Sequence, residues 1–292
     1  MMQDFNTVNV EATIQSGQVF LWQKQETKTD GFWYGVNGQD VLMVGNNGKI
    51  RSLKKDGSDF FRRNDDLERI IRTISKDATT KKAVRRYLGL RLMDQDPFQC
   101  MISFIASSNS NIQRIKNCLE RLSKRFGQRV EFDKKEFFVF PTPKALADAS
   151  VEEITECGAG YRSKFIRSAS EMVVKGRIDF DRLRRMEYAQ TREEIRAVPG
   201  IGNKVADCIM LFSLNKLEAF PLDRWMIRIL RRYYPDLCIK TTTKKATAMT
   251  TITDRQYELL HEGIVDHFGR YAGYAQQFLF KMERENFGRG WL

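Results

Sequence analysis

The chain has 292 residues, 42% of them hydrophobic, with 49 Lys and Arg against 37 Asp and Glu and a formal charge of +12. That length suits two domains with a sizeable core, and no stretch approaches the ~18 consecutive apolar residues of a membrane span. The positive surplus points to a polyanionic partner, nucleic acid before an anionic membrane surface.

The start, MMQDFNTVNVEATIQ, has no basic segment leading into an apolar run, so no secretory signal is expected. The segments QVFLWQ (18–23), GFWYGV (31–36), DVLMVG (40–45) and KIRSL (49–53) are short and rich in Val, Phe, Trp and Tyr. Turns of the DG, NG and NNG type separate them, which predicts a small antiparallel sheet. RRNDDLERIIRTISKD then carries Leu67, Ile70, Ile71 and Ile74 at helical spacing. After Pro97 the texture is helical, in PFQCMISFIASSN, NIQRIKNCLERLSKRFG, PKALADASVEEITECG and RSKFIRSASEMVVKG. Ser150 with Glu153 predicts a capping box, and Gly127, Gly158 and Gly176 predict helix stops. The remainder reads as mostly helical. The fold class is therefore α+β: an N-terminal antiparallel β domain (1–94) packed on an all-α body (95–292).

Within the body, TREEIRAVPGIGNKVADCIMLFSL reads helix, tight turn, helix, with the hairpin at 198–204. Gly200 and Gly202 allow positive φ and leave backbone N–H groups uncovered. At the start of the second helix those groups and the helix dipole favour an anion such as a backbone phosphate. An ordinary helical turn has the same glycine pattern. Lys204 lies in the first turn of that helix, where positive dipole potential and partial burial disfavour an ammonium. A lysine held neutral is a nucleophile able to form a Schiff base. Asp223, after Pro221 in AFPLDRWMIRILRRYY, sits at or beside an N-cap whose dipole is expected to keep it ionised. Taken singly, Lys204 also reads as a solvated lysine and Asp223 as a plain cap.

The five cysteines, Cys100, Cys118, Cys157, Cys208 and Cys238, are scattered without a CxxC. Neither a disulfide framework nor a zinc site is expected, and reduced thiols in an intracellular, soluble protein of cytoplasm or nucleus are the simplest reading. The two histidines, His261 and His267, offer little for histidine-based catalysis or metal binding.

The run from VPGIG through Lys204 to the P-L-D ending at Asp223 resembles the helix-hairpin-helix-Gly/Pro-Asp superfamily of base-excision DNA glycosylases. SGQVFLW (16–22), QDPFQCMISFIASSNSNIQRI (95–115), GYRSKF (160–165), KVADC (204–208) and FGRYAGYAQQFLF (268–280) resemble, in the same order, the eukaryotic-type 8-oxoguanine DNA glycosylases. The resemblance implies a bifunctional glycosylase and abasic-site lyase, with a lesion-binding cleft between the two parts. It implies Lys204 as nucleophile and Asp223 as its electrostatic partner. Gly17 would accept N7–H of the oxidised base through its carbonyl, Cys208 and Phe280 would sandwich that base, and Gln276 would meet its Watson–Crick edge. Asn109, Arg114 and Arg162 would hold the orphaned cytosine, Tyr161 would wedge into the gap, and Gly200, Gly202 and Lys204 would meet phosphate.

Cys208 lies four residues after Lys204, hence on the same helix face. The implied partner is duplex DNA containing 8-oxoguanine, met by a monomer without a membrane. No cofactor is implied for the chemistry and no metal ligands are assigned, with room left for a structural cation at the hairpin. The last cysteine, Cys238, has no closely spaced set around it, so no iron–sulfur cluster is expected. Trp225 stands where relatives carry a phosphate-contacting histidine, and Ser110 where they carry asparagine. A glycosylase of other base specificity and a non-catalytic helix-hairpin-helix DNA-binding protein remain the alternatives.

Overall fold

The computed structural model describes residues 7–26, 31–54, 60–239 and 252–286. Helix α1 (Val10–Ile14) opens the chain, and Asn9 caps it by accepting from the Ala12 N–H at 3.0 Å. Strands β1 (Trp22–Gln25), β2 (Phe32–Asn37), β3 (Asp40–Gly45) and β4 (Ile50–Ser52) form one antiparallel meander in sequence order. The Asn37↔Asp40 pairing leaves a two-residue loop at Gly38 and Gln39, as the NG signal predicts.

The first strand begins later than its sequence suggests, at Trp22 rather than at residue 18. The backbone of 18–21 is diverted because buried Gln18 bonds to another segment. Its amide donates to the Arg91 carbonyl (2.9 Å) and accepts from the Met93 N–H (2.9 Å), while the Gln95 side chain donates to the Gln18 carbonyl (3.0 Å). That strap delivers Ser16 and Gly17 to the cleft described below.

Helices α2 (Leu67–Ile74) and α3 (Ala78–Arg86) follow the sheet. The body then runs through α4 (Pro97–Ala106), α5 (Ile112–Phe126), the hairpin β5 (Arg129–Phe132) and β6 (Lys135–Phe138), α6 (Pro143–Asp148) and α7 (Val151–Ile154). A widened turn (Thr155–Ala159) and a short 3-10 turn (Gly160–Arg162) lead into α8 (Ser163–Val174). Next come α9 (Phe180–Arg185), α10 (Tyr188–Arg196), α11 (Asn203–Ser213), α12 (Arg224–Tyr233), α13 (Pro235–Ile239), α14 (Asp254–Phe268) and α15 (Ala272–Asn286).

The expected capping box at Ser150 and Glu153 is present. Gly127 ends α5, while Gly158 sits at a kink inside the widened turn rather than at a helix end. The body is not all-α, because β5 and β6 interrupt it. Their tight turn uses Asp133 and Lys134 at φ +54° and +60°, so it lacks the glycine that marks such turns in a sequence. Asp133 accepts from the Tyr34 hydroxyl and from Arg51 at 3.3 Å, which fastens this hairpin to the N-terminal sheet.

Helices α4 and α11 are buried along their length and pack on each other at the centre. The main core surrounds them and includes Leu67, Ile70, Ile74 and Val84, so α2 and α3 pack with the helical body, against α15. A smaller core of Val8, Trp22, Trp33, Leu42, Phe61 and Met93 lies against the sheet.

Candidate active site

The turn between α10 and α11 depends on one glycine. Gly200 has φ +87°, and a Cβ there would stand 2.5 Å from Cγ of Phe165. Gly202 departs from the expectation of positive φ. It is extended (φ −93°, ψ −177°) with nothing within 4 Å of a Cβ, and it forms the N-cap of α11 without a side-chain cap. The first N–H groups of α11 are thus left for an external acceptor. We expect Gly200→Ala to destabilise the fold by about 2–4 kcal/mol, from left-handed strain plus overpacking. Gly202→Ala should cost under ~1 kcal/mol. Denaturant midpoints of the two variants check the contrast, and equal losses would contradict it.

Lys204, in the first turn of α11, donates from Nζ to Oγ of Ser107 (3.3 Å) at the end of α4, and Nζ lies 5.2 Å from the centre of the Phe104 ring. One turn on, Cys208 is buried, and burial pushes its thiol up to about 12 against the pull of the neighbouring Lys204 charge. Asp223 is the N-cap of α12, accepting from the Met226 N–H at 2.8 Å. Half-buried in the cleft, it is partly stripped of water, and this desolvation raises its pKa despite the opposing pull of Lys204, the Met226 and Trp225 N–H groups and Arg284.

A buried network fixes the spacing between these two residues. Asp207, on α11, accepts from the hydroxyls of Tyr188 (2.8 Å) and Tyr257 (2.6 Å). The Leu222 N–H, one residue before Asp223, donates to the same Tyr257 hydroxyl at 3.2 Å. The helix that carries Lys204 is therefore hydrogen-bonded, through Tyr257 of α14, to the loop that carries Asp223. Ser107, Phe104 and Tyr257 were not singled out by sequence, because each reaches the site by tertiary contact alone.

Gly17 follows α1 at φ +87°. A Cβ on it would meet the Phe280 ring at 3.2 Å and Nη1 of Arg284 at 3.1 Å. Its position is held from α15, where Gln277 donates to the Ser16 carbonyl at 2.7 Å. One turn before Phe280 on the same helix, Oε1 of Gln276 is buried without a hydrogen-bond partner among the described residues. Such an orphaned acceptor fits a site whose donor arrives with a ligand. Gly17, Gly200, Gly202, Lys204, Cys208, Asp223, Gln276 and Phe280 all line one cleft of about 1450 Å³, bounded by the α1 segment on one side and by α4, α11, α12 and α15 on the others.

The residues assigned to the opposite strand gather at its edge. Asn109, exposed at φ +50° in the turn after α4, and Arg114, exposed in the first turn of α5, line the cleft. Arg162 reaches that turn from the 3-10 segment, donating to the carbonyls of Ser108 (2.7 Å from Nε) and Asn109 (3.1 Å). Tyr161 beside it is 54% exposed, a large ring left in solvent, with its centre 4.4 Å from the Arg162 guanidinium carbon. Trp225, in the first turn of α12, also lines the cleft and lies 5.2 Å from the guanidinium of Arg228. Among the described residues no helix is long and apolar enough to cross a membrane, and Cys100, Cys118, Cys157 and Cys208 are free thiols.

Two family models match this chain. The HhH-GPD superfamily base excision DNA repair protein model covers residues 102–252, and the 8-oxoguanine DNA glycosylase N-terminal domain model covers 3–101. A probable N-glycosylase/DNA lyase of Methanothermobacter thermautotrophicus is 30% identical over 257 residues, 81% of this chain and 73% of the relative. An N-glycosylase/DNA lyase of Arabidopsis thaliana is 34% identical over 213 residues, 71% of this chain and 56% of the relative. The structure of the 8-oxoguanine glycosylase/lyase of Clostridium acetobutylicum, bound to duplex DNA with cytosine opposite 8-oxoguanine, superposes with a TM-score of 0.82. It is 28% identical, and the match covers 96% of this chain and 92% of that one.

Proposed function

The chain belongs to the HhH-GPD superfamily of base excision DNA repair proteins, with the N-terminal domain of 8-oxoguanine DNA glycosylases, and on that premise we propose that it excises 8-oxoguanine opposite cytosine from duplex DNA and then cleaves the abasic site. The observation that carries this reading is the convergence of a lysine, a half-buried carboxylate, an orphaned amide oxygen and a side-chain-free backbone turn on one cleft.

The lesion is unreachable inside the duplex, so the nucleotide is first flipped out. Tyr161 fills the gap, while Asn109, Arg114 and Arg162 take the orphaned cytosine. Arginine carries donors only, which suits the O2 and N3 acceptors of that base. The flipped base lies between Cys208 and Phe280, with Gln276 on its Watson–Crick edge and the Gly17 carbonyl accepting from N7–H. Lys204, as the free amine, forms a bond from Nζ to C1′ as the glycosidic C1′–N9 bond breaks and its electron pair leaves with the base. Asp223 stabilises the positive charge that develops on the sugar. Opening of the sugar ring gives a Schiff base between Nζ and C1′. Loss of a 2′ proton then expels the 3′ phosphate by β-elimination. The N–H groups at Gly202 and the start of α11 hold a neighbouring phosphate, and no step is routed through a metal or an organic cofactor.

Single-turnover excision from duplexes of defined sequence tests the reading. 8-Oxoguanine opposite C should be released at least ~10-fold faster than opposite A, the worth of one or two hydrogen bonds to the orphaned base. 8-Bromoguanine opposite C has bulk at C8 but no N7–H, and the unpaired Gly17 carbonyl should cut its excision by about 10⁴. Equal rates opposite all four bases would remove the role of Asn109, Arg114 and Arg162. Rapid release of 8-bromoguanine would remove that of Gly17.

A further inference from the structure

Among the cations that line the cleft, Arg284 holds a place the reaction scheme leaves unused. It lies on α15 one turn after Phe280 and two turns after Gln276, so the three share a helix face. Its guanidinium carbon is 5.5 Å from the centre of the Phe280 ring, and Nη1 is 3.1 Å from where a Cβ of Gly17 would stand. Among the described residues it makes no ion pair and no hydrogen bond, although neighbouring Lys281 and Glu285 pair with each other at 2.8 Å. A half-buried guanidinium has five donors in a fixed fork and loses free energy when they stay unpaired. Here they face the same pocket as the Gly17 turn and the stacking ring.

We infer that Arg284 is a recognition residue for the C8 carbonyl of the flipped base. This inference rests on the reading of the cleft as an 8-oxoguanine site. The N7–H/C8=O edge of an 8-oxopurine is a donor beside an acceptor. The Gly17 carbonyl accepts the first, and Arg284, adjacent to Gly17, donates to the second. The two together form a complement to the whole oxidised edge, which normal guanine and adenine lack. The same guanidinium repels a purine made cationic by N-alkylation, which sets this pocket against alkylated bases. A neutral side chain at 284 loses a charge-assisted hydrogen bond, an interaction worth about 10–100-fold in rate.

The test separates base reading from support of Asp223, whose charge Arg284 also feels. Arg284→Leu and Arg284→Gln are compared with the parent protein in two single-turnover reactions. One is release of 8-oxoguanine opposite C, and the other is cleavage of a pre-formed abasic site, where there is no base to read. The expected result is a 10–100-fold fall in the first and less than a threefold change in the second. Arg284→Lys, with the charge but not the fork, should fall between. Equal falls in both reactions, with tetrahydrofuran-duplex binding at parental strength, would overturn the inference and make Arg284 a support for Asp223. No change in either reaction, or faster base release, would also overturn it. If Arg284→Leu binds that duplex poorly, the conservative Gln and Lys variants decide by the same two rates. Failure of the parent protein on 8-oxoguanine, with abasic-site cleavage intact, would instead count against the proposed substrate.

Discussion

Lys204→Gln is expected to lose base release and strand cleavage together, by about 10⁴-fold or more, while binding a duplex with 8-oxoguanine within about threefold of the parent protein. The size follows from losing the nucleophile itself, whose removal leaves only binding and electrostatic contributions to the rate. The specificity of the loss follows from the surroundings of the side chain. Glutamine has an amide that can still donate toward Oγ of Ser107, where the lysine nitrogen sits at 3.3 Å, and it stays beside the Phe104 ring, whose centre lies 5.2 Å from that nitrogen. The position is in the first turn of α11, where a glutamine costs little helix stability. Affinity for the damaged duplex is measured by fluorescence anisotropy at fixed salt, since phosphate contacts make binding steeply salt-dependent. A variant that binds normally and still cleaves at more than about a tenth of the parental rate would mean that another amine does the chemistry.

Asp223→Asn should slow single-turnover excision by about 10²–10³, the usual loss for one electrostatic contact with a transition state. The fold should survive, because asparagine caps as well as aspartate and retains the bond from the Met226 N–H. The pH profile gives a second readout. Burial raises the Asp223 pKa, so the carboxylate takes up its proton at a higher pH than an exposed aspartate, whose ordinary value is about 3.9. Only the ionised form stabilises a cationic sugar. Excision by the parent protein should therefore fall as pH drops through a midpoint above that ordinary value, and the Asn variant should lack this acid limb. The sign for stability is the opposite of the usual carboxylate case. A raised native pKa means that ionised Asp223 opposes folding at neutral pH, so Asp223→Asn should leave the thermal midpoint unchanged or higher. A marked loss of stability in that variant, with full rate in its folded fraction, would make Asp223 a structural cap only.

The features read most directly from sequence are those set by local chemistry. The NG loop, the caps at Ser150 and Asp223 and the Gly200 turn each follow from a few neighbouring residues, and the structure places them as expected. The positions where the structure departs from the local pattern depend on distant partners. Residues 18–21 have the composition of a strand, but Gln18 takes its bonds from the backbone of Arg91 and Met93. The β5–β6 turn is built from Asp133 and Lys134, held by Tyr34 and Arg51 of another sheet. The raised pKa of Asp223 has a related origin, since a capping pattern reports the helix dipole and says nothing of the walls that remove water. Tyr257, which joins the Lys204 helix to the Asp223 loop, lies fifty residues from Asp207 in the chain. Arg284 lies four and eight residues after Phe280 and Gln276 on one helix, and that spacing is a usable signal once one residue of the face is assigned.

The most direct measurement of the account is borohydride reduction of the protein mixed with a duplex carrying 8-oxoguanine opposite cytosine. The account predicts a covalent protein–DNA adduct that forms at the rate of base release and maps by peptide sequencing to Lys204. Release of the free base without a trapped adduct, or an adduct on a residue other than Lys204, would contradict it.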